Sequence, residues 1–150
     1  MIKFRKKSVA VTGAVAAIVL AGAAPVLANT YEDQVNALLN VAENFADSQG
    51  YSDTHNRYHG QLDEREYKTV TLNLDRGTEY LIVGQCDHDC SDMDLWLYDE
   101  NGNEIDSDTL TDDTPIVRVS PIRSARFSLK TRIYACSVEP CYYGIGVYGR

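Results

Sequence analysis

The chain has 150 residues, 44% of them hydrophobic, enough for one domain with its own core. Its 14 basic and 22 acidic side chains give a net charge of −8 at pH 7. A surface of that sign repels phosphate backbones and excludes nucleic acid as the expected partner, leaving cations and basic partners the better candidates.

The first segment reads "MIKFRKKSVAVTGAVAAIVLAGAAPVLANT". Lys3, Arg5, Lys6 and Lys7 form a basic start, and no charge follows from Ser8 to Ala28. The run ends in Val26-Leu27-Ala28, a variant of the small-x-small cleavage pattern, so residues 1–28 are expected to be a signal peptide cut after Ala28. Ala, Gly and Thr dilute the run and Pro25 breaks it, which favours cleavage over a membrane anchor. The leader holds four of the basic residues and no acid, so the remaining 122 residues carry 10 against 22, a net charge of −12. The expected location is periplasmic or secreted, and the mature chain is not expected to be embedded in a membrane.

From Tyr31 to Gln49 the apolar positions are Val35, Leu38, Leu39, Ala42, Phe45 and Ala46, at intervals of three and four. That spacing predicts an amphipathic helix over residues 29–50, capped by Asn29 or Thr30 and stopped by Gly50. Docking of its apolar face on the domain is favoured over pairing with a partner or a second copy.

After Gly50 the period falls to two, and a domain over residues 51–150 is expected. "YKTVTLNL" alternates Val70, Leu72 and Leu74; Asp75–Gly77 is a turn; "TEYLIVGQC" is continuous enough for burial on both faces. "DLWLYD" puts Leu95 and Leu97 on one face and Trp96 and Tyr98 on the other, and Asn101-Gly102 signals a hairpin. "PIVRVS" is followed by "ARFSLKTRI", with Ala125, Phe127, Leu129, Thr131 and Ile133 inward and Arg126, Ser128, Lys130 and Arg132 outward. The last strand, "YYGIGVYG", alternates Tyr143, Ile145 and Val147. The fold class expected is all-β: an antiparallel β-sandwich or jelly roll of about seven to eight strands, preceded by one amphipathic α-helix.

Export changes how the cysteines read. Four outside the cytoplasm imply two disulfides, and the spacings Cys86-x3-Cys90 and Cys136-x4-Cys141 favour local pairs over the other two connectivities. Zinc would prefer two-residue spacers and a reducing compartment, and no C-x-x-C motif supports a redox role.

Four stretches taken together resemble the bacterial pre-peptidase C-terminal (PPC) domain: "DRGTEYLIVG", "DMDLWLYDENGNEI", "SARFSLKTRI" and "CYYGIGVYG". The positions that carry the likeness are Gly77 and Tyr80, Asp92, Asp94 and Leu95, Gly102, and Tyr143 with Tyr148, over residues 56–150. The resemblance implies a secreted β-sandwich of a kind appended to exported enzymes, serving secretion, localisation or substrate binding, with calcium bound in some relatives. The two cysteine pairs lie outside the family's general pattern.

Calcium takes six to eight oxygens held on loops. The candidate ligands are Asp92 and Asp94, two apart and so on one face of an extended chain, with Asp87, Asp89, Asp112 and Asp113 around them. No EF-hand is present: Gly102 is misplaced after Asp99 and Asn101, and Leu110 stands where the twelfth-position Glu belongs. Asp is also common in solvated turns. His55 and His59 have a zinc-like spacing, but Gly50 and Gly60 bracket them and they read as surface residues, as does His88. No Gly-x-Ser-x-Gly elbow or distinguished carboxylate pair appears, so no catalysis is expected. Trp96 and Tyr98 are either an open platform for sugars or peptides or core beneath the helix, and core is favoured. The function expected is a binding or adhesion module for an extracellular or envelope protein or polysaccharide. The alternative is an assembly subunit that docks or forms a homo-oligomer through the helix at 31–49.

Overall fold

The computed structural model describes residues 27–150, so the expected leader through residue 26 lies outside the described residues. One helix, α1 (Leu27–Ser48), precedes nine strands: β1 (Ser52–Asp53), β2 (Tyr58–Leu62), β3 (Tyr67–Leu74), β4 (Tyr80–Cys86), β5 (Cys90–Tyr98), β6 (Glu104–Asp108), β7 (Ile116–Val119), β8 (Ala125–Cys136) and β9 (Cys141–Gly149). The β-sandwich expected from the alternation is present, with more strands than the expected seven to eight. The additions are short or barely buried: β1 has two exposed residues and β2 buries only Leu62, so neither leaves a periodic signal.

Helix α1 begins at Leu27, ahead of the expected caps, so Asn29 and Thr30 lie inside it. Its end is as the sequence requires. Gly50 takes a φ of 81°, the Gly50 N–H bonds the Asp47 carbonyl and the Tyr51 N–H bonds that of Ala46, a Schellman closure that a β-carbon would strain.

The strands form two antiparallel sheets. The first runs β1-β9-β4-β7, with β2 also paired to β9, and the second runs β3-β8-β5-β6. Leu72, Met93, Leu95, Leu97, Leu129 and Ile133 from one sheet and Ile82, Val117, Ile145 and Val147 from the other fill the space between them. Burying each such side chain stabilises by about 1.5–3 kcal/mol. A second apolar layer lies on the outer side of the first sheet, where Ala42 and Ala46 of α1 meet Leu81, Val83, Tyr51 and Tyr148. This explains why "YLIVGQC" is buried along its whole length: β4 has the inter-sheet core on one face and α1 on the other.

Helix α1 is seated by β9. A β-carbon on Gly144 would lie 2.7 Å from both Leu39 Cδ1 and Val35 Cγ1, so only glycine admits the helix at that distance. The Tyr148 hydroxyl donates to the Leu39 carbonyl at 3.5 Å, and burial pushes its pKa up to about 12, keeping it a neutral donor.

Candidate binding surface

The stretch "CDHDCSDMDLWLY" lies where the chain passes from one sheet to the other. Cys86 ends β4 in the first sheet and Cys90 begins β5 in the second, and a disulfide joins them. A second bridge, Cys136–Cys141, closes the β8–β9 passage in the opposite sense. Cys90 and Cys136 are cross-strand partners, so both bridges staple the same end of the sandwich.

The start of α1 packs over this end. Tyr31 stacks on Tyr142 with ring centroids 5.6 Å apart, and Gln34 Oε1 bonds both the backbone N–H and Nδ1 of His88. Asp87 is 1% exposed; its Oδ2 accepts the Tyr142 N–H at 2.8 Å while Oδ1 has no hydrogen-bond partner among the described residues. Burial raises its pKa against the opposing backbone hydrogen bonds. Asp89 holds Ser137 through its carbonyl and raises the pKa of Tyr31 through its charge. His55 bonds Thr54 and the Asn73 carbonyl.

The remaining calcium candidates separate into different roles. Asp94 is buried; its Oδ2 accepts from Arg132 Nε at 2.8 Å and forms an ion pair with Nη2 at 2.7 Å. Asp112 Oδ1 caps the Thr114 N–H, and Asp113 Oδ1 accepts from the Thr114 hydroxyl. Asp92 is 7% exposed and its Oδ1 is unpartnered among the described residues; burial, then the charges of Asp94 and Asp112, raise its pKa against the pull of Arg132. Among the described residues no three His, Cys, Asp or Glu side chains are gathered into a group that could hold a metal ion.

Trp96 and Tyr98 are not under the helix. Helix α1 covers the outer face of the first sheet, and these two rings stand half-buried on the outer face of the second, which no other element covers among the described residues. The expectation of core fails because the helix binds the glycine-bearing sheet that admits it. Cross-strand register fixes what surrounds the rings: Thr69, Lys130, Trp96 and Ser107 form one row, and Thr71, Ser128, Tyr98 and Glu104 the next.

Cations fill the gaps between the first rings. Lys130 Nζ lies 4.4 Å from the Tyr67 ring centre and 5.2 Å from that of Trp96. The Arg132 guanidinium carbon lies 5.1 Å from Trp96 and 4.9 Å from Tyr134. The result is a ladder of alternating rings and cations along β8, with Tyr67 and Tyr134 exposed at 62% and 45%. Tyr67, Tyr134, Lys130 and Arg132 were not among the expected site residues. The outward alternation of "ARFSLKTRIY", set beside Trp96, is the signal that would have found Lys130, Arg132 and Tyr134; Tyr67 lies outside that stretch, at the start of β3.

In fold the chain is similar to the pre-peptidase C-terminal domain of a collagenase from Bacillus anthracis, at 14% sequence identity and a TM-score of 0.49, over 63% of this chain and 88% of that one. No protein-family model matches the chain. No curated protein matches it in sequence.

Proposed function

We propose that the chain is an exported, non-catalytic binding module that holds an extracellular or envelope polymer on the outer face of β3-β8-β5-β6. The observation that carries this reading is the asymmetry of the sandwich: one outer face is closed by α1, the other is open and set with Tyr67, Trp96, Tyr98 and Tyr134. Aromatic rings held at a wet surface are the usual anchors of polymer recognition. The leader-like residues 1–28 and the two disulfides support export to an oxidising compartment. Tyr98→Ala and Trp96→Ala are expected to lower retention on envelope fractions at least tenfold while leaving the melting temperature within a few degrees. Retention unchanged in both variants would remove this face as the binding surface.

Calcium stabilisation is part of the proposal, supported by the orphaned Asp92 oxygen and the charges of Asp94 and Asp112 around it. Ligand at a hundred times its dissociation constant adds about 2.7 kcal/mol, several degrees in Tm for a domain of this size. Millimolar calcium is expected to raise Tm above its value in EDTA. Asp92→Asn is expected to raise the EDTA value and abolish the calcium response. The sign follows from the raised pKa: the stability tied to neutral Asp92 is full below the unfolded carboxylate pKa of about 3.9 and is lost as pH rises through the folded value. An amide at this position therefore gains at pH 7 and gains nothing at pH 3. Equal melts with calcium and with EDTA would return Asp92 to a structural role.

A second reading, an assembly subunit, is favoured by Val41 and Phe45 of α1, which are 65% and 48% exposed beside an apolar groove of about 330 Å³. Ala42, Val83 and Ile116 line that groove. Under this reading light scattering finds an oligomer that Phe45→Glu dissociates; a monomer unaffected by the change rejects it.

A further inference from the structure

The edges of the two sheets are not alike. Strands β6 and β7, at the edges of the two sheets, close on each other: Asp106 Oδ2 accepts the Arg118 N–H at 2.7 Å and Asp108 Oδ2 the Ile116 N–H at 2.9 Å. The first sheet's other edge is made of β1 and β2, of only two and five residues. Strand β3 is the second sheet's other edge, with eight residues and no strand beyond it among the described residues. Covering an edge or keeping its strand short protects a sheet from strand addition, and β3 has neither protection.

Hydrogen bonds show which backbone groups this edge presents. The Ile133 N–H bonds the Glu66 carbonyl, in line with the β3–β8 register. By alternation Lys68, Val70 and Leu72 therefore turn their N–H and C=O groups toward β8, and the odd-numbered residues turn theirs away. Asn73 agrees: its carbonyl is bonded at 3.1 Å by the ring of His55, which lies between β1 and β2 and not on β8. The N–H and C=O groups of Tyr67, Thr69 and Thr71 thus face outward, and no described residue bonds them. All three residues are exposed.

The sequence of this edge is its own complement. Two copies laid antiparallel about Val70 bring Thr69 of one opposite Thr71 of the other and Tyr67 opposite Asn73, so the outward-facing groups meet. Val70 meets Val70. Lys68, the one charged residue from Tyr67 to Asn73, faces Leu72 and not a second lysine. No like charges stand directly opposite, and β-branched residues, which pair well across strands, fill the centre. A two-fold pair covers both open edges at once, whereas an added foreign peptide would present a new one.

We propose that β3 is a homodimer edge, in which two copies pair through residues 67–73 about a two-fold axis at Val70 and join their four-stranded sheets into a continuous one. The outer faces that carry Trp96 and Tyr98 then lie side by side across the seam. The pairing does not depend on what those faces bind.

The test uses the full chain in light scattering and amide exchange from about 1 µM to about 1 mM. A dimer is expected to form as concentration rises. Exchange at the Tyr67, Thr69 and Thr71 N–H groups is expected to slow roughly fivefold over that range, while Lys68, Val70 and Leu72 stay protected throughout. Thr69→Pro removes an N–H that no described residue uses, so it is expected to keep the chain monomeric with its Tm within a few degrees of the parent. Thr69→Val is expected to retain the dimer.

A monomer at every concentration overturns the proposal. A dimer that Phe45→Glu dissociates and Thr69→Pro does not places the contact on α1 and overturns it too. Should Thr69→Pro unfold the chain, exchange in the unchanged protein decides: N–H groups of Tyr67, Thr69 and Thr71 that exchange equally fast at all concentrations overturn the pairing.

Discussion

Reduction of both disulfides is expected to lower the melting temperature by about 12–20 °C. Each bridge closes a loop of only five or six residues, for which chain entropy gives about 2 kcal/mol, or about 4 kcal/mol for the pair. In a domain of this size each kcal/mol moves Tm by roughly 3–5 °C. Position adds to loop length. Both bridges close passages between the two sheets at one end, Cys86 and Cys141 are buried, and the start of α1 rests on the same loops through Tyr31 and Gln34. Loosening this end therefore frees Asp87, whose Oδ2 accepts the Tyr142 N–H, and admits water to its second oxygen. Amide exchange after reduction is expected to rise first at residues 86–92 and 136–142 and to leave the β3–β8 ladder protected. An unchanged Tm in reductant, with both pairs shown to be free thiols, would mean that hydrogen bonds alone hold the end closed.

Much of this architecture could be read from the residues. The alternation in "ARFSLKTRI" gave the faces of β8 correctly, because one side of that strand is core and the other is open. The continuous run in "YLIVGQC" marked burial on both sides, and local pairing of the cysteines followed from their spacing. What could not be read is which sheet the helix covers. Both sheets have apolar inner faces, and the choice lies in small outward residues of β9: Gly144 admits Val35 and Leu39, whereas the corresponding face of the second sheet carries Trp96, Tyr98, Lys130 and Arg132. That one decision turned Trp96 and Tyr98 from expected core into surface. The aspartates were harder still, since sequence shows how many there are but not that Asp94 belongs to Arg132, Asp112 to a turn, and Asp92 to neither.

Arg132→Met is expected to destabilise the protein by about 2–3 kcal/mol at pH 7, although Arg132 is a third exposed and lies on the outer face. The loss comes from what it leaves behind. The Asp94 side chain is 3% exposed, and its Oδ2 accepts a hydrogen bond from Arg132 Nε at 2.8 Å and lies 2.7 Å from Nη2 in the same ion pair. Removing one partner of such a pair strands the other charge out of water, at a cost of about 3–5 kcal/mol when both are buried and less here because the guanidinium reaches solvent. Methionine retains packing between Trp96 and Tyr134, so the change isolates the charge from the ladder. Asp94→Asn in the same chain is expected to recover most of the loss, giving a coupling energy above 1 kcal/mol in a double-mutant cycle. Asp92 supplies an independent check. Arg132 lowers its raised pKa, so the variant shifts that pKa further up and deepens the decline in stability as pH rises above about 4. Additive effects of the two substitutions, with parallel pH profiles, would show that Arg132 acts through its stacking on the rings and not through the carboxylates behind it.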